Sequence, residues 1–158
     1  MKIKFVLPVI LLAVAFQLNA QNPKVPVVIN LKDGKSVDAI HFGQLKCGKE
    51  TYSDNYMIIR GKYMGSVTEI KDFKEFEKIV LEGYSAGPVA SVGNEKGTLI
   101  IHKKDGVSVT LEDAELVMSC YGHGDMYNVL VVQIFNPLTN QAAEQAIETQ
   151  NIQSIIFK

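Results

Sequence analysis

The sequence predicts an all-β protein with one or two short helical turns. Three observations support this class: short apolar runs rich in β-branched residues, turn signals between those runs, and a pattern that repeats after 72 residues. Apolar residues make up 47% of the 158-residue chain, which is enough for a hydrophobic core and argues against disorder.

The first 20 residues predict export. Two lysines precede an apolar run at 5–16, and Ala20 places a small residue at the expected cleavage point. This is the layout of a cleavable signal peptide, and the run is shorter than the roughly 20 residues of a membrane-spanning helix. A lipid anchor would need a cysteine at the cleavage point, but the first cysteine is Cys47. We therefore expect a soluble periplasmic or extracellular chain without a transmembrane segment.

The mature chain divides into two related units, 24–81 and 98–158, which a glycine-rich linker at 82–97 connects. The repeat is clearest where residues 32–37 (KDGKSV) match residues 104–109 (KDGVSV). Because a unit of about 60 residues is only marginally stable alone, we expect the two units to pack on each other.

In the first unit, apolar runs at 27–31 and 37–42 predict two strands on either side of Asp33 and Gly34. An Asp-Gly pair between such runs predicts a hairpin with a type I′ turn, in which both central residues have positive φ. The charged segment 72–78 predicts a short helical turn before the last strand of the unit.

The second unit repeats this plan around Asp105 and Gly106. Pro137 ends its third strand because proline cannot donate a ladder hydrogen bond. The polar segment 149–152 predicts a helical turn before the last strand. The predicted strands are 99–101, 107–111, 129–135, 145–148 and 154–157. A unit of five strands and one such turn resembles a small SH3-like barrel, so the fold is a tandem duplication of that barrel or, alternatively, one β-sandwich formed by both halves.

Charge and composition limit the partners. Cleavage after residue 20 removes two of the 16 basic residues and none of the 17 acidic ones, which leaves a net charge of −3. A mildly acidic chain without basic clusters is a poor candidate for binding nucleic acid. We expect no cofactor, and a protein or glycan partner outside the cytoplasm.

Cys47 and Cys120 are the only cysteines, and they occupy equivalent places in the two units. An even number of cysteines in an oxidising compartment is typical of a disulfide. The alternative is that each cysteine is a free thiol in the core of its own unit. The sequence leaves both possibilities open.

Residues 83–87 match the G-x-S-x-G pattern of the α/β-hydrolases, with Ser85 as the nucleophile. That motif requires a helix directly after the serine, whereas Pro88 and several glycines follow here. A linker explains the five residues better, and a small secreted hydrolase using Ser85 stays as an alternative.

The loop after Cys120 is the predicted binding surface. It contains Tyr121, His123, Asp125 and Tyr127, and exposed loops often carry function while tyrosine supplies contact area at low entropic cost. The alternative is an ordinary hairpin loop whose tyrosines cover the edge of the barrel. We predict no metal site, because zinc sites usually draw on two spaced ligand pairs and no second pair is present.

These features together predict an exported, non-catalytic β-protein that binds or scaffolds an unidentified partner. The rival hypotheses are the hydrolase using Ser85 and a structural subunit of an envelope assembly, whose edge strands would pair with neighbouring molecules. No residue is predicted to be catalytic in the leading hypothesis.

Overall fold

The structure is a computed structural model that describes residues 25–42, 46–47, 50–51, 56–84, 96–120, 124–127 and 129–158. The description leaves out the side chains of 25, 41–42, 46–47, 50–51, 56, 118–120 and 124–127. The predicted signal peptide and residues 85–95 of the predicted linker lie outside it. Within the described ranges, no helix is long and apolar enough to cross a membrane.

The described chain is almost entirely β, as predicted. One 3₁₀ turn, Thr149–Asn151, stands where the sequence predicts a helical turn before the last strand. The strands of the described residues are β1 (Val25–Leu31), β2 (Ser36–Phe42), β3 (Lys46–Cys47), β4 (Glu50–Thr51), β5 (Tyr56–Tyr63), β6 (Ser66–Ile70), β7 (Phe76–Glu82), β8 (Gly97–Lys103), β9 (Ser108–Cys120), β10 (Gly124–Tyr127), β11 (Val129–Asn136), β12 (Gln141–Glu148) and β13 (Ile152–Phe157).

Eleven of these strands form one antiparallel sheet. Its order is β12-β11-β2-β1-β13-β7-β8-β9-β5-β6, and β10 pairs with β9 beside this path. The short strands β3 and β4 form a separate hairpin. Pairing runs without interruption from β12 to β6, so the eleven strands make one sheet rather than two. Strands β7 and β8, on either side of the predicted linker, pair directly with each other.

The strand order is the same from both ends of the sheet once the strands are numbered within the predicted units. When the short strands β3, β4 and β10 are left aside, the first unit contributes β1, β2, β5, β6 and β7, and the second contributes β8, β9, β11, β12 and β13. Counted inward from β12 or inward from β6, the first five strands are a fourth, a third, a second, a first and a fifth strand of their units. We call β12-β11-β2-β1-β13 the terminal half and β7-β8-β9-β5-β6 the central half. Each half combines two strands of one unit with three of the other, since β2 pairs with β11 and β9 pairs with β5.

The two Lys-Asp-Gly turns share one geometry, but it is not the predicted type I′ turn. In the first turn, Leu31 N donates to Lys35 O at 2.8 Å and Gly34 N donates to Leu31 O at 3.1 Å; the matching distances in the second are 2.8 and 3.0 Å. Only the glycines, Gly34 and Gly106, have positive φ, 86° in each turn. This is a three-residue loop in which a type I turn precedes a left-handed glycine. Asp33 Oδ1 favours it by accepting a hydrogen bond from Lys35 N at 3.0 Å.

The predicted helical turn at 72–78 is wrong. Phe76 N donates to Phe73 O at 3.0 Å, which closes a β-turn, and β7 already begins at Phe76. The Phe73 side chain is buried, with its ring centroid 5.6 Å from that of Phe76 and 6.1 Å from that of Phe157. Burial of the Phe73 ring fixes the segment in this turn. This effect outweighs the weak preference of the surrounding charged residues for a helix.

The core lies on one face of the sheet and draws on both halves. Alternate residues of the paired strands point into a single cluster, as the period of two in a strand requires. Ile79 and Ile155 pair across β7 and β13, where the two halves meet, and both side chains are fully buried. Other fully buried large side chains are Val27, Ile29, Met57, Ile59, Leu99, Ile101, Leu111, Leu130 and Ile152.

Candidate binding site

The predicted binding residues fall on β10 and just before it. Tyr121 and His123 lie outside the described residues, as do the side chains of Asp125 and Tyr127. The backbone of β10 pairs with residues 117–120 of β9. The backbone of β10 therefore lies beside the last residues of β9, a strand whose residues 113 and 115 line the cleft described below.

Three other predicted sites stay predictions. Ser85 lies outside the described residues. The backbone of Cys47 belongs to β3 and that of Cys120 ends β9, but the side chains of both lie outside the description. The disulfide between them is therefore untested.

The residues before Ser85 have a clear structural role. Tyr84 is buried, and its hydroxyl donates to Ala114 O at 2.5 Å. Gly97 lies against the Tyr84 ring, where an added Cβ would overlap the ring and approach Glu82 O to 2.5 Å. Gly83 has a φ of 68°, which lets the chain turn so that Tyr84 reaches this position. These residues anchor the end of β7 to β8 and β9.

A shallow cleft of about 170 Å³ opens over β5, β6 and β9 in the central half. We call it the β5–β9 cleft. It carries three basic and two acidic side chains. No group of three or more His, Cys, Asp or Glu side chains in the described part of the chain is placed to hold a metal ion. The residues that line the cleft are Arg60, Gly61, Lys62, Val67, Lys96, Asp113 and Glu115.

Two side chains of the cleft, those of Arg60 and Glu115, belong to one row of residues that pair across neighbouring strands. Arg60 pairs with Glu69 on β6 and with Glu115 on β9. Arg60 Nε donates to Glu69 Oε1 at 2.6 Å, and this bond holds the pKa of Glu69 below its ordinary value. Glu115 is only 7% exposed, and its Oε2 has no hydrogen-bond partner among the described residues. A buried oxygen without a partner costs about 1–3 kcal/mol.

A bulge in β9 shapes the cleft beside this row. The pairing of β9 with β5 shifts between Arg60 and Lys62, and Asp113 takes a φ of 47°. Gly61 permits the close approach of the two strands, because an added Cβ would lie 3.0 Å from the Ala114 Cβ. Bulges bend a strand and change the direction of nearby side chains, which explains why an acidic strand residue lines this cleft.

An ion pair forms another part of the cleft wall. Lys62 Nζ lies 2.7 Å from Asp113 Oδ2. The hydrogen bond from Lys62 lowers the pKa of Asp113, and the same bond raises the pKa of Lys62. Lys96 also lines the cleft and, within the described residues, forms no hydrogen bond or ion pair.

A second polar cluster lies on β8 and β9, beside an open groove of about 310 Å³. His102 Nδ1 lies 2.8 Å from Ser108 Oγ, a contact that a serine nucleophile would need. No carboxyl group of the described chain forms a hydrogen bond with His102 to orient its ring. At the equivalent place in the terminal half, Ser36 Oγ donates to Asn30 Oδ1 at 2.9 Å without any imidazole. We interpret both contacts as cross-strand pairs that stabilise the sheet.

Comparisons with known proteins assign no family. No family model matches the chain, and no solved structure is significantly similar to it. A stretch of 84 residues is 38% identical to serine palmitoyltransferase 3 of Mus musculus. This match covers 52% of the chain and 13% of that enzyme. So small a share of the enzyme transfers no activity, and the functional argument depends on the cleft.

Sequence reasoning did not identify the row that contains Arg60 and Glu115. Arg60 and Glu69 lie on the consecutive strands β5 and β6, but Glu115 lies on β9, far along the chain, so no motif contains all three. The one signal is that Arg60 directly follows the apolar run 57–59 and Glu115 directly precedes the apolar run 116–118.

Proposed function

We propose that the chain is an exported, non-catalytic binding protein and that the β5–β9 cleft is its ligand site. One observation carries this proposal, the buried and unpartnered Oε2 of Glu115. Folded proteins leave very few buried polar atoms without a hydrogen bond. Because the Glu115 side chain is among those that line the open cleft, its unpartnered oxygen favours a partner from outside the chain, either a free molecule or part of a protein or glycan.

The architecture in this proposal is a duplicated SH3-like barrel whose two copies have exchanged strands. Two observations support it: the strand order is the same from both ends of the sheet, and the two Lys-Asp-Gly turns have matching hydrogen bonds. Each half has its fifth strand beside its first, which is the order of small SH3-like barrels. Many unrelated activities use that fold, so the fold alone supports no particular ligand.

Export is supported by the signal-peptide pattern of residues 1–20 and has a direct test. Cells expressing the full chain are fractionated, and the N-terminus of the recovered protein is determined by mass spectrometry. We expect Gln21 as the first residue, in the periplasmic or medium fraction. Recovery of the uncleaved chain from the cytoplasm contradicts export.

The cleft is tested by thermal-shift screening of the mature chain against a library of small polar molecules. We expect at least one compound to raise the melting temperature of the wild type and of Glu144→Gln. Glu144 is an exposed acid on β12 in the terminal half, so it serves as the matched control. The same compound should not shift Glu115→Leu. An equal response from Glu115→Leu places the ligand elsewhere and overturns the proposal.

The hydrolase alternative has a separate test. A fluorophosphonate probe labels activated serines covalently, and both Ser85 and Ser108 are candidates. We expect no labelling of the mature chain under conditions that label a control serine hydrolase. Labelling that disappears in Ser85→Ala or Ser108→Ala would establish the catalytic alternative.

A structural role in an envelope assembly is favoured by the two ends of the sheet. Strands β12 and β6 pair on one side only within the described residues. The hairpin tips beside them expose apolar side chains, with Leu138 94% and Met64 87% exposed. Edge strands of this kind can pair with another chain. Association that increases with concentration in size-exclusion chromatography supports this role, and a monomer at high concentration contradicts it.

A further inference from the structure

We infer that the ligand of the β5–β9 cleft is a neutral, polyhydroxylated molecule, namely a single sugar ring. This inference depends on the proposed binding function and adds the chemical class of the ligand. It is derived from what the side chains of the cleft still need, from their charges and from the size of the cleft.

The first requirement is a hydrogen-bond donor for Glu115. Its Oε2 is buried and has no partner in the described part of the chain, and the Glu115 side chain is among those that line the cleft. Arg60 lies opposite in the sheet, but its Nε donates to Glu69 on the other side. A hydroxyl or N–H group of a ligand supplies the missing donor.

The second feature is the exposed ammonium group of Lys96, which can donate to a ligand. This side chain lines the same cleft, its charge helps to lower the pKa of Asp113, and it forms no hydrogen bond or ion pair with the described residues. An ammonium group can only donate, so its ligand partner must offer an oxygen lone pair. A hydroxyl group is both donor and acceptor, and two neighbouring hydroxyls can satisfy Glu115 and Lys96 together.

The charges of the cleft disfavour ionic ligands. Three basic side chains, those of Arg60, Lys62 and Lys96, line the cleft and repel a metal ion or an organic cation. An anion such as phosphate meets the acidic side chains of Asp113 and Glu115 in the same space. Inorganic phosphate can offer a P–OH donor, but these two acids repel its negative charge. A neutral hydroxylated ligand avoids both penalties.

The size of the cleft limits the ligand to one ring. Its volume of about 170 Å³ is below the roughly 300–1,000 Å³ of pockets that enclose a drug-sized ligand. Val67 adds an apolar contact at its edge, because this side chain is 78% exposed. The C–H face of a sugar ring can pack on such a side chain while its hydroxyls reach the charged groups.

The test measures binding to the mature chain by saturation-transfer NMR and calorimetry. The probes are glucose, galactose, mannose and N-acetylglucosamine, with arginine amide, inorganic phosphate and calcium chloride as ionic comparisons. We expect at least one sugar to bind. Glu115→Leu should weaken that binding about ten-fold or more, because it removes the acceptor of the ligand's hydrogen bond. Lys96→Met should weaken it by a smaller factor, and Glu144→Gln should leave it unchanged.

The other outcomes separate the ligand class from the binding function. Binding of arginine amide, calcium or phosphate without any sugar, lost in Glu115→Leu, overturns the inferred class but leaves the cleft a binding site. Sugar binding that Glu115→Leu does not change overturns the inferred position. If no probe binds, the inferred class is wrong, and the thermal-shift library then decides whether the binding function survives.

Discussion

The terminal and central halves of the sheet share a plan but differ in one row. A bulge interrupts β2 in the terminal half and β9 in the central half. Directly after each bulge, one residue from each of three neighbouring strands forms a row across the sheet. This row is Glu69–Arg60–Glu115 in the central half and Glu144–Gln133–His41 in the terminal half. The acid on the edge strand is common to both rows, whereas the arginine and the second acid occur only in the central half.

The comparison separates what forms the fold from what forms the site. Features that the halves share, such as the Asp-Gly turns and the apolar faces, have structural explanations in both. The unshared pair, Arg60 and Glu115, includes a buried carboxyl oxygen that the fold leaves without a partner. Buried polar atoms without a hydrogen bond are expected at functional sites, where they lower the stability of the fold but can bind a ligand.

The largest expected effect tests whether the halves unfold as one structure. Ile79 and Ile155 face each other where the halves meet, and both are fully buried. We expect Ile79→Ala and Ile155→Ala each to lower the free energy of unfolding by about 2–5 kcal/mol, since each leaves a cavity in the shared core. Urea denaturation should give one transition in both variants. Two separate transitions, or a large cost for only one variant, contradict a common core.

The next effect concerns the unshared row. Glu115→Leu removes the unpartnered oxygen, and the nearest pair on the same face of the sheet, Ile58 and Val117, is buried and apolar. We expect the free energy of unfolding without ligand to rise by about 1–3 kcal/mol. Glu144→Gln, at the exposed edge of the terminal half, should change it by less than about 0.5 kcal/mol. Destabilisation by Glu115→Leu would mean that the carboxyl group has a structural partner.

A smaller effect tests the equivalence of the two turns. Gly34 and Gly106 have the same positive φ, and no atom lies within 4 Å of where a Cβ would be added. The cost of alanine is therefore backbone strain alone, about 1–2 kcal/mol in each turn. Thermal denaturation of Gly34→Ala and Gly106→Ala should give equal losses. Clearly unequal losses would show that the two turns are not equivalent in the folded protein.

The smallest effect is pH-dependent and concerns the wall of the cleft. The pKa of Asp113 is lowered by the hydrogen bond from Lys62, so the ionised carboxylate stabilises the folded state. That contribution is present above the ordinary pKa of aspartate and is lost as the pH falls through the lowered pKa of the folded state. Asp113→Asn should be slightly less stable at pH 7, and the difference should vanish by about pH 2. Asparagine also tolerates the positive φ at this position.

The sequence predicted local structure better than assembly. The run 129–135 and the polar step at 149–152 correspond to β11 and the 3₁₀ turn, because periodicity and turn residues act locally. The type I′ turn was predicted at Asp33 and Gly34, where the loop has three residues. A loop in which both central residues have positive φ instead occurs at Met64 and Gly65, which carry no Asn-Gly or Asp-Gly signal.

The cleft could not be predicted from local patterns. Its row exists only because β9 of the second unit pairs with β5 of the first. If each unit formed its own barrel, the second strand would instead pair with the third strand of the same unit. The sequence shows that Glu115 stands next to the apolar run 116–118, but the missing hydrogen bond depends on where Arg60 donates. The packing of the sheet determines that Arg60 donates to Glu69.

Backbone amide NMR of the mature chain titrated with the sugar panel tests the central claim most directly. The claim is that the central half binds ligand and the terminal half does not. We predict saturable shifts at the amides of Arg60, Lys62 and Glu115, with none at Gln133 and Glu144. Equal shifts in both halves, or shifts confined to the terminal half, contradict the account.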